Sequence, residues 1–465
     1  MIPRLFAPLP RLVLVLLLLL AAFAPARALE VKKIITPKGL EVWFAEDHTV
    51  PIIALNYAFR GGAAADPKDR RGLANFLSAM LDEGAGELDS AAFQERMEEL
   101  AFSMSHSAGQ DWFSGSFRTL SKNRAESFRL LALALNRPRF DEKPLERIRR
   151  QLLVSLKGKQ QDPDHLAWMA FKKALFGDHP YALDADGDAR GIAAITVDDL
   201  RALHKRLFAR DNLIITAAGD ISTPELARLV DSVFATLPEK SAMPDTPAPR
   251  MPQKAREIVL KRPIPQTIII MGHEGLLRSD PDFIPAYVVN HVLGGGGFGS
   301  RLMEEVREKK GLAYSVYSAM FAYRKAGVFF AQASTRNARA RQALSIMKEQ
   351  MAKVAREGIT ARELEEAKKY LIGSYPLRFD STTKVASLLL AIRRDDLGID
   401  YIRRRNDLIR AVTLADARRA ARRLLHPDRL QVVLFGNPDS AAGTSAAPAA
   451  GAAAAPATPA PAAAR

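Results

Sequence analysis

The chain has 465 residues, too many for one ordinary domain, and its 48% hydrophobic and 26% charged composition suits a globular protein with more than one core. It contains no Cys, which excludes disulfides, Cys-based zinc sites, thiol catalysis and Cys lipidation. Lys and Arg outnumber Asp and Glu by 67 to 52, but they are spread along helix-like stretches with no basic block interleaved with aromatics, so nucleic acid is not an expected partner.

The N-terminus reads as an export segment. Arg4 and Arg11 supply positive charge, residues 12–24 form a short apolar run, and Ala26-Arg27-Ala28 offers a small-x-small cleavage site. The run is too short to favour a lasting membrane span, so residues 1–28 are expected to be removed and the mature chain to be periplasmic, with no stable span. An uncleaved N-terminal anchor is the alternative.

Residues 40–47 and 52–62 read as strands. "RRGLANFLSAMLDEG" (70–84) follows as an amphipathic helix over 72–83. Leu73, Phe76, Leu77, Met80 and Leu81 form its apolar face, and Asn75, Ser78, Ala79 and Asp82 lie on the other. Residues 103–120 return to strand, "PLERIRRQLLVS" (144–155) is helical, and residues 195–220 combine a Thr N-cap, an amphipathic helix, an Asp turn, a strand and a Gly. A stretch with five Pro (236–256) reads as a linker, with the boundary set at 237–252.

Beyond the linker the order repeats. Strands 257–263 and 266–275 precede a helix (282–293), strands fill 313–335, and residues 412–437 restate the Thr–helix–Asp–strand–Gly series. Thr196 and Thr413, Asp211 and Asp428, and Gly219 and Gly436 are each 217 residues apart, and the same offset sets 144–155 beside 361–372. The chain is therefore a duplication, with homologous domains at 29–236 and 253–438. Hairpin-like strand runs with grouped helices argue α+β, each half a mostly antiparallel β-sheet packed with α-helices. Residues 439–465 are rich in Ala, Pro and Gly without large apolar side chains, and are expected to be a disordered tail.

With these elements in place the chain resembles the M16 (pitrilysin-like, mitochondrial-processing-peptidase-like) zinc peptidases over nearly its whole mature length, which implies the M16 (LuxS-like) metallohydrolase fold. The strongest stretch is "LGGGGFGSRLMEEVREKKGLAYSVYS" (293–318), and residues 177–220 come next. The family's His-x-x-Glu-His motif, two zinc ligands and a general base, belongs in "GLANFLSAML", with a further Glu ligand about 75 residues on. Asn75 and Ala79 stand in place of the two His, Ser78 in place of the Glu, and Ser155 in place of the distal ligand. Such residues do not supply the imidazoles and carboxylates zinc requires, so no metal is expected on this chain.

The family's Arg and Tyr, seven residues apart and contributed by the C-terminal half or a partner subunit to hold peptide near the metal, match Arg307 and Tyr314. Gly294, Gly295, Gly296 and Gly297 match a Gly-rich loop that lines the family's peptide chamber. Gly294, Gly296 and Gly299 also fit a dinucleotide-binding pattern, but it follows a helix rather than a strand, so that reading fails. Ser105, His106, Ser107 and Ala108 fall on the family's edge strand, to which extended substrate adds through backbone groups. The resemblance thus implies the metal-free subunit of a heterodimer. Its two clamshell halves would enclose a chamber, its partner would carry His-x-x-Glu-His and the zinc, and its substrate would be an unfolded peptide. A stand-alone peptide-binding or scaffold protein is the alternative.

Overall fold

The computed structural model describes residues 30–439, so the export segment (1–28) and the tail beyond Asp439 lie outside the described residues. In the first half, β1 (Lys32–Ile35), β2 (Glu41–Glu46) and β3 (Ile52–Arg60) precede α1 (Leu73–Met80) and α2 (Ser90–Glu99). The hairpin β4 (Ser103–Ala108) and β5 (Trp112–Leu120) follows, then α3 (Arg124–Asn136), α4 (Glu142–Lys159), α5 (Pro163–Phe176), α6 (Ala189–Ala194), α7 (Val197–Leu207), β6 (Leu213–Gly219) and α8 (Thr223–Phe234). The second half comprises β7 (Arg256–Lys261), β8 (Gln266–Gly275), α9 (Phe283–Asn290), β9 (Ala313–Tyr323), β10 (Ala326–Arg336), α10 (Ala340–Glu357), α11 (Ala361–Gly373), α12 (Thr382–Arg394), α13 (Tyr401–Ala411), α14 (Leu414–Leu424) and β11 (Gln431–Gly436).

The two sheets run β1-β2-β6-β3-β5-β4 and β7-β11-β8-β10-β9. Each contains one parallel pair, β2 with β6 and β7 with β11, and is otherwise antiparallel. Setting aside β1, the orders coincide strand for strand, so the duplication and the mostly antiparallel α+β class are both realised. The 217-residue offset persists in detail. Helices α7 and α14 start and end at that spacing, and each opens with a capping box, Thr196 with Asp199 and Thr413 with Asp416. Gly219 and Gly436 end the following strands at φ +124° and +146°, where a Cβ would also run into the backbone carbonyls of Ile52 and Gln266.

One face of each sheet carries its own half's helices. Leu55, Tyr57, Phe59 and Phe117 pack under α1, α3, α7 and α8, while Ile269, Met271, Phe329 and Leu434 pack under α9, α10, α11 and α14. The opposite faces are covered by exchange. From the second half, α12 lays Val385, Ala386 and Leu389 on Trp43, Ala45, Ala54 and Ala218 of the first sheet. From the first half, α5 lays Ala167, Phe171 and Leu175 on Ile268, Ile270, Val433 and Phe435 of the second. Polar ties reinforce the first of these contacts: Thr216 Oγ1 donates to the Ala386 carbonyl (2.9 Å), and Arg393 Nη1 donates to the carbonyls of Glu41 (2.9 Å) and Ile215 (2.8 Å). The two halves are thus interlocked through exchanged helices. Each inner sheet face is filled by a helix of the other half, because leaving that much apolar sheet surface in water would cost more than ordering one helix over it.

The linker has no regular element but is held as a strap. Arg210 N donates to the Pro238 carbonyl (2.9 Å), Ala242 N donates to that of Arg206 (3.0 Å), and Asp245 pairs with Arg324 (3.2 Å) and Lys325 (2.8 Å) at the β9–β10 turn. Among the described residues no helix is long and apolar enough to cross a membrane.

Candidate functional site

The second half builds its exposed cluster from three local distortions. Helix α9 does not stop at the Gly run, as a simple helix end would. It continues as a π-helical turn over His291–Gly295, makes a 3-10 turn at Gly297–Gly299, and is followed by a second π-helical turn, Met303–Glu308. The wider spiral of that second turn is visible in Lys309 N donating to the Glu304 carbonyl, five residues back, at 2.9 Å. Leu302, Met303 and Val306 are buried beneath it in the second core, which puts Arg307 on the outer side. The third distortion is a β-bulge at the start of β9. Ala333 pairs with Val316 and Thr335 with Ala313, so Tyr314 and Ser315 together oppose one residue, Ser334. The bulge breaks the in–out alternation and turns Tyr314 into solvent, where it is 84% exposed.

These distortions bring Arg307 and Tyr314 together, and add a third residue that the sequence did not reveal. The Arg307 guanidinium lies 4.8 Å from the Tyr314 ring centroid and 4.7 Å from that of Phe298, which is 68% exposed. Its Nη1 donates to the Tyr314 carbonyl (2.9 Å), and its Nε lies 3.3 Å from Glu308 Oε1. Lys309 pairs with Glu304 (2.9 Å) and Glu305 (2.8 Å) on the same turn. The result is a held guanidinium beside two open aromatic rings. Phe298 was hidden in the sequence because a lone Phe inside a Gly run has no apolar period to identify its face.

The glycines of the loop divide into two kinds. A Cβ on Gly294 would lie 2.5 Å from both N and Oγ of Ser318, one on Gly295 would lie 2.9 Å from the Asn290 amide nitrogen, and one on Gly296 2.8 Å from the His291 carbonyl. Gly294 lets the loop lie close on β9, where the buried Ser318 hydroxyl donates to Asn290 Oδ1 at 2.8 Å, while Gly295 and Gly296 let it fold back on Asn290 and His291. Gly297 instead has φ +61° with open space around it, and supplies the turn that lifts Phe298 outward.

In the first half, Asn75, Ser78 and Ala79 lie on α1, whose start is capped by Asp66 accepting from Gly72 N (2.9 Å) and Ala74 N (3.1 Å). Burial pushes the Asp66 carboxyl up to about 7. Ser78 is buried and its hydroxyl donates to the Asn75 carbonyl of its own helix (2.7 Å). Ala79 has no donor atom, and Ser155 is exposed on α4. This set does not fit a zinc ion: one amide, two hydroxyls and a methyl replace imidazoles and carboxylates, and one hydroxyl is already committed to its helix. Among the described residues no three His, Asp or Glu side chains are gathered so as to hold a metal ion.

Residues Ser105–Ala108 do form the edge strand of their sheet, as β4. Ser105 and Ser107 face solvent, and Ser105 Oγ lies 2.8 Å from Ser116 Oγ on β5. The His106 ring turns inward and bonds the buried Tyr57 hydroxyl (2.6 Å); burial pushes this imidazole down to about 3. The strand therefore offers its outer backbone groups and two serines, while the His106 side chain belongs to the core.

Residues 42–186 match the family model described as insulinase (peptidase family M16), and residues 194–371 match the model described as the peptidase M16 inactive domain. A non-peptidase homolog, YmxG, of Helicobacter pylori is 30% identical over 342 residues, spanning 72% of this chain and 78% of that protein. The crystal structure of a peptidase M16 inactive domain from Pseudomonas fluorescens is 32% identical with a TM-score of 0.83, covering 89% of this chain and 99% of that one. The periplasmic protease PqqL from Escherichia coli shares the fold at 17% identity with a TM-score of 0.75, covering 88% of this chain and 46% of that one.

Proposed function

Because the chain belongs to the peptidase M16 family, we propose that it is the non-catalytic, peptide-holding subunit of an exported, periplasmic M16 heterodimer. The observation that carries this reading is the contrast between its halves. The positions that would hold zinc are Asn75, Ser78, Ala79 and Ser155, while Arg307 and Tyr314 stand assembled, with the Tyr314 ring open to solvent. The guanidinium fork and the phenol hydroxyl bind and orient a carbonyl of an unfolded peptide, and the outer edge of β4 offers backbone groups to an extended segment. The partner is an M16 chain that carries His-x-x-Glu-His and the zinc. One feature supports a pairing: this chain's fold accounts for less than half of the longer PqqL chain.

The test is purification of the chain alone and with a zinc-motif partner, each assayed on a quenched peptide. The lone chain is inactive. The pair is active and chelator-sensitive, and Arg307→Ala lowers its kcat/KM by about a hundredfold, the scale of one lost transition-state donor. Activity of the lone chain that survives chelator overturns the reading, as does a pair indifferent to Arg307→Ala. A stand-alone peptide-binding role is favoured by one observation, the non-peptidase designation of the Helicobacter pylori relative. Recovery from cells without any M16 partner, with peptide binding intact, selects it.

A further inference from the structure

Single exposed apolar residues are ordinary, but Phe298 and Tyr314, 68% and 84% exposed, gather around one guanidinium. Both rings approach Arg307, their centroids 4.7 and 4.8 Å from its guanidinium carbon. The positive φ of Gly297 sets Phe298 in place, and a β-bulge does the same for Tyr314. Part of the guanidinium's donor set is already placed. One Nη1 N–H goes to the Tyr314 carbonyl, Nε faces Glu308, and the Nη2 pair has no acceptor among the described residues. The Nη2 pair is therefore the donor left for an approaching carbonyl, beside the two rings. Beside that approach, nothing lies within 4 Å of where a Cβ would stand on Gly297 or Gly299, which leaves bare backbone and room for a second chain.

We propose that Phe298 is a specificity-determining residue of this site: with Tyr314 it forms an apolar clamp that seats one apolar side chain of an extended peptide beside the carbonyl held by Arg307. This rests on the reading of Arg307 and Tyr314 as peptide-holding residues. The clamp does two things. Stacking fixes the otherwise mobile Arg side chain, so less entropy is lost when a carbonyl binds. The outer surfaces of the two rings then favour an apolar neighbour to that carbonyl over a polar one.

The experiment uses the full mature chain and two fluorescein-labelled decapeptides of Gly, Ser and Ala, identical except for a central Leu or Asn, with binding read by anisotropy. The wild type binds the Leu peptide about five- to tenfold more tightly, the effect of burying part of one aliphatic side chain. Phe298→Ala removes that preference by weakening the Leu peptide alone, and Phe298→Leu restores most of it. Arg307→Ala weakens both peptides alike. Thermal melts of the Phe298 variants match the wild type, since the ring is largely in solvent. Equal weakening of both peptides by Phe298→Ala, or no change in either, overturns the clamp while leaving the Arg307 reading intact. Indifference of both peptides to Arg307→Ala, or no binding of either by the wild type, overturns that reading and the clamp with it.

Discussion

Leu389 tests whether the two halves are one folding unit. It belongs by sequence to the second half, yet it is fully buried against Trp43, Ala45, Ala54 and Ala218 of the first sheet. Leu389→Ala removes three buried carbons at about 0.8 kcal/mol each and leaves a cavity, so the expected loss is about 3–4 kcal/mol. The chain has three Trp, and two of them report on opposite contacts: Trp43 sits under α12 on the first sheet, while Trp168 lies on α5 against the second. Urea unfolding followed in variants that keep only Trp43 or only Trp168 should show Leu389→Ala shifting both midpoints downward together. A shift at Trp43 with none at Trp168 means that the halves unfold independently, and refutes the argument from helix exchange.

Gly294→Ala should destabilise by about 2 kcal/mol or more, because its Cβ meets the backbone of β9, whereas Gly299→Ala, with open space around it, should be neutral; paired thermal melts decide this. Glu363 accepts a two-pronged bond from Arg301 (2.6 and 2.7 Å) and caps α11 through Thr360. Burial alone would raise this carboxyl, but Arg301 and Thr360 outweigh it and hold it down to about 2. Since the folded value lies below the unfolded one, its stabilisation is present above about pH 4.5 and is lost as pH falls towards 2. Wild type should therefore lose about 1–2 kcal/mol relative to Glu363→Gln between pH 5 and 2.5 in urea titrations. Burial pushes the His106 imidazole down to about 3, so its NMR shifts should stay flat from pH 8 to 5. The purified chain, dialysed against buffered zinc, should retain well under one equivalent by elemental analysis, because Asn75, Ser78, Ala79 and Ser155 are poor ligands.

Much of this architecture was written locally. Thr196, Thr413, Asp211, Asp428, Gly219 and Gly436 each do a job set by their own chain neighbourhood, a cap, a turn or a strand end, and so the repeat and its α+β class were legible. Arg307 and Tyr314 were legible through spacing and flanking residues, not through their own chemistry. Partner choice was not legible. The apolar stripe of Ala167, Phe171 and Leu175 marks a buried helix face, but nothing in its period says which sheet it will cover. The inward turn of His106 depends on which face of an edge strand meets Tyr57, and the exposure of Tyr314 on one extra residue in β9, both matters of register fixed only when strands pair.

The reciprocal covering of the sheets by α5 and α12 also bears on ancestry. Two copies of a half-length precursor that traded these helices would be a domain-swapped homodimer, and joining them end to end makes the trade permanent. Severing the polypeptide within the strap would then yield complementary fragments, each with a bare sheet and a stray helix, that recover native structure only by reassociating.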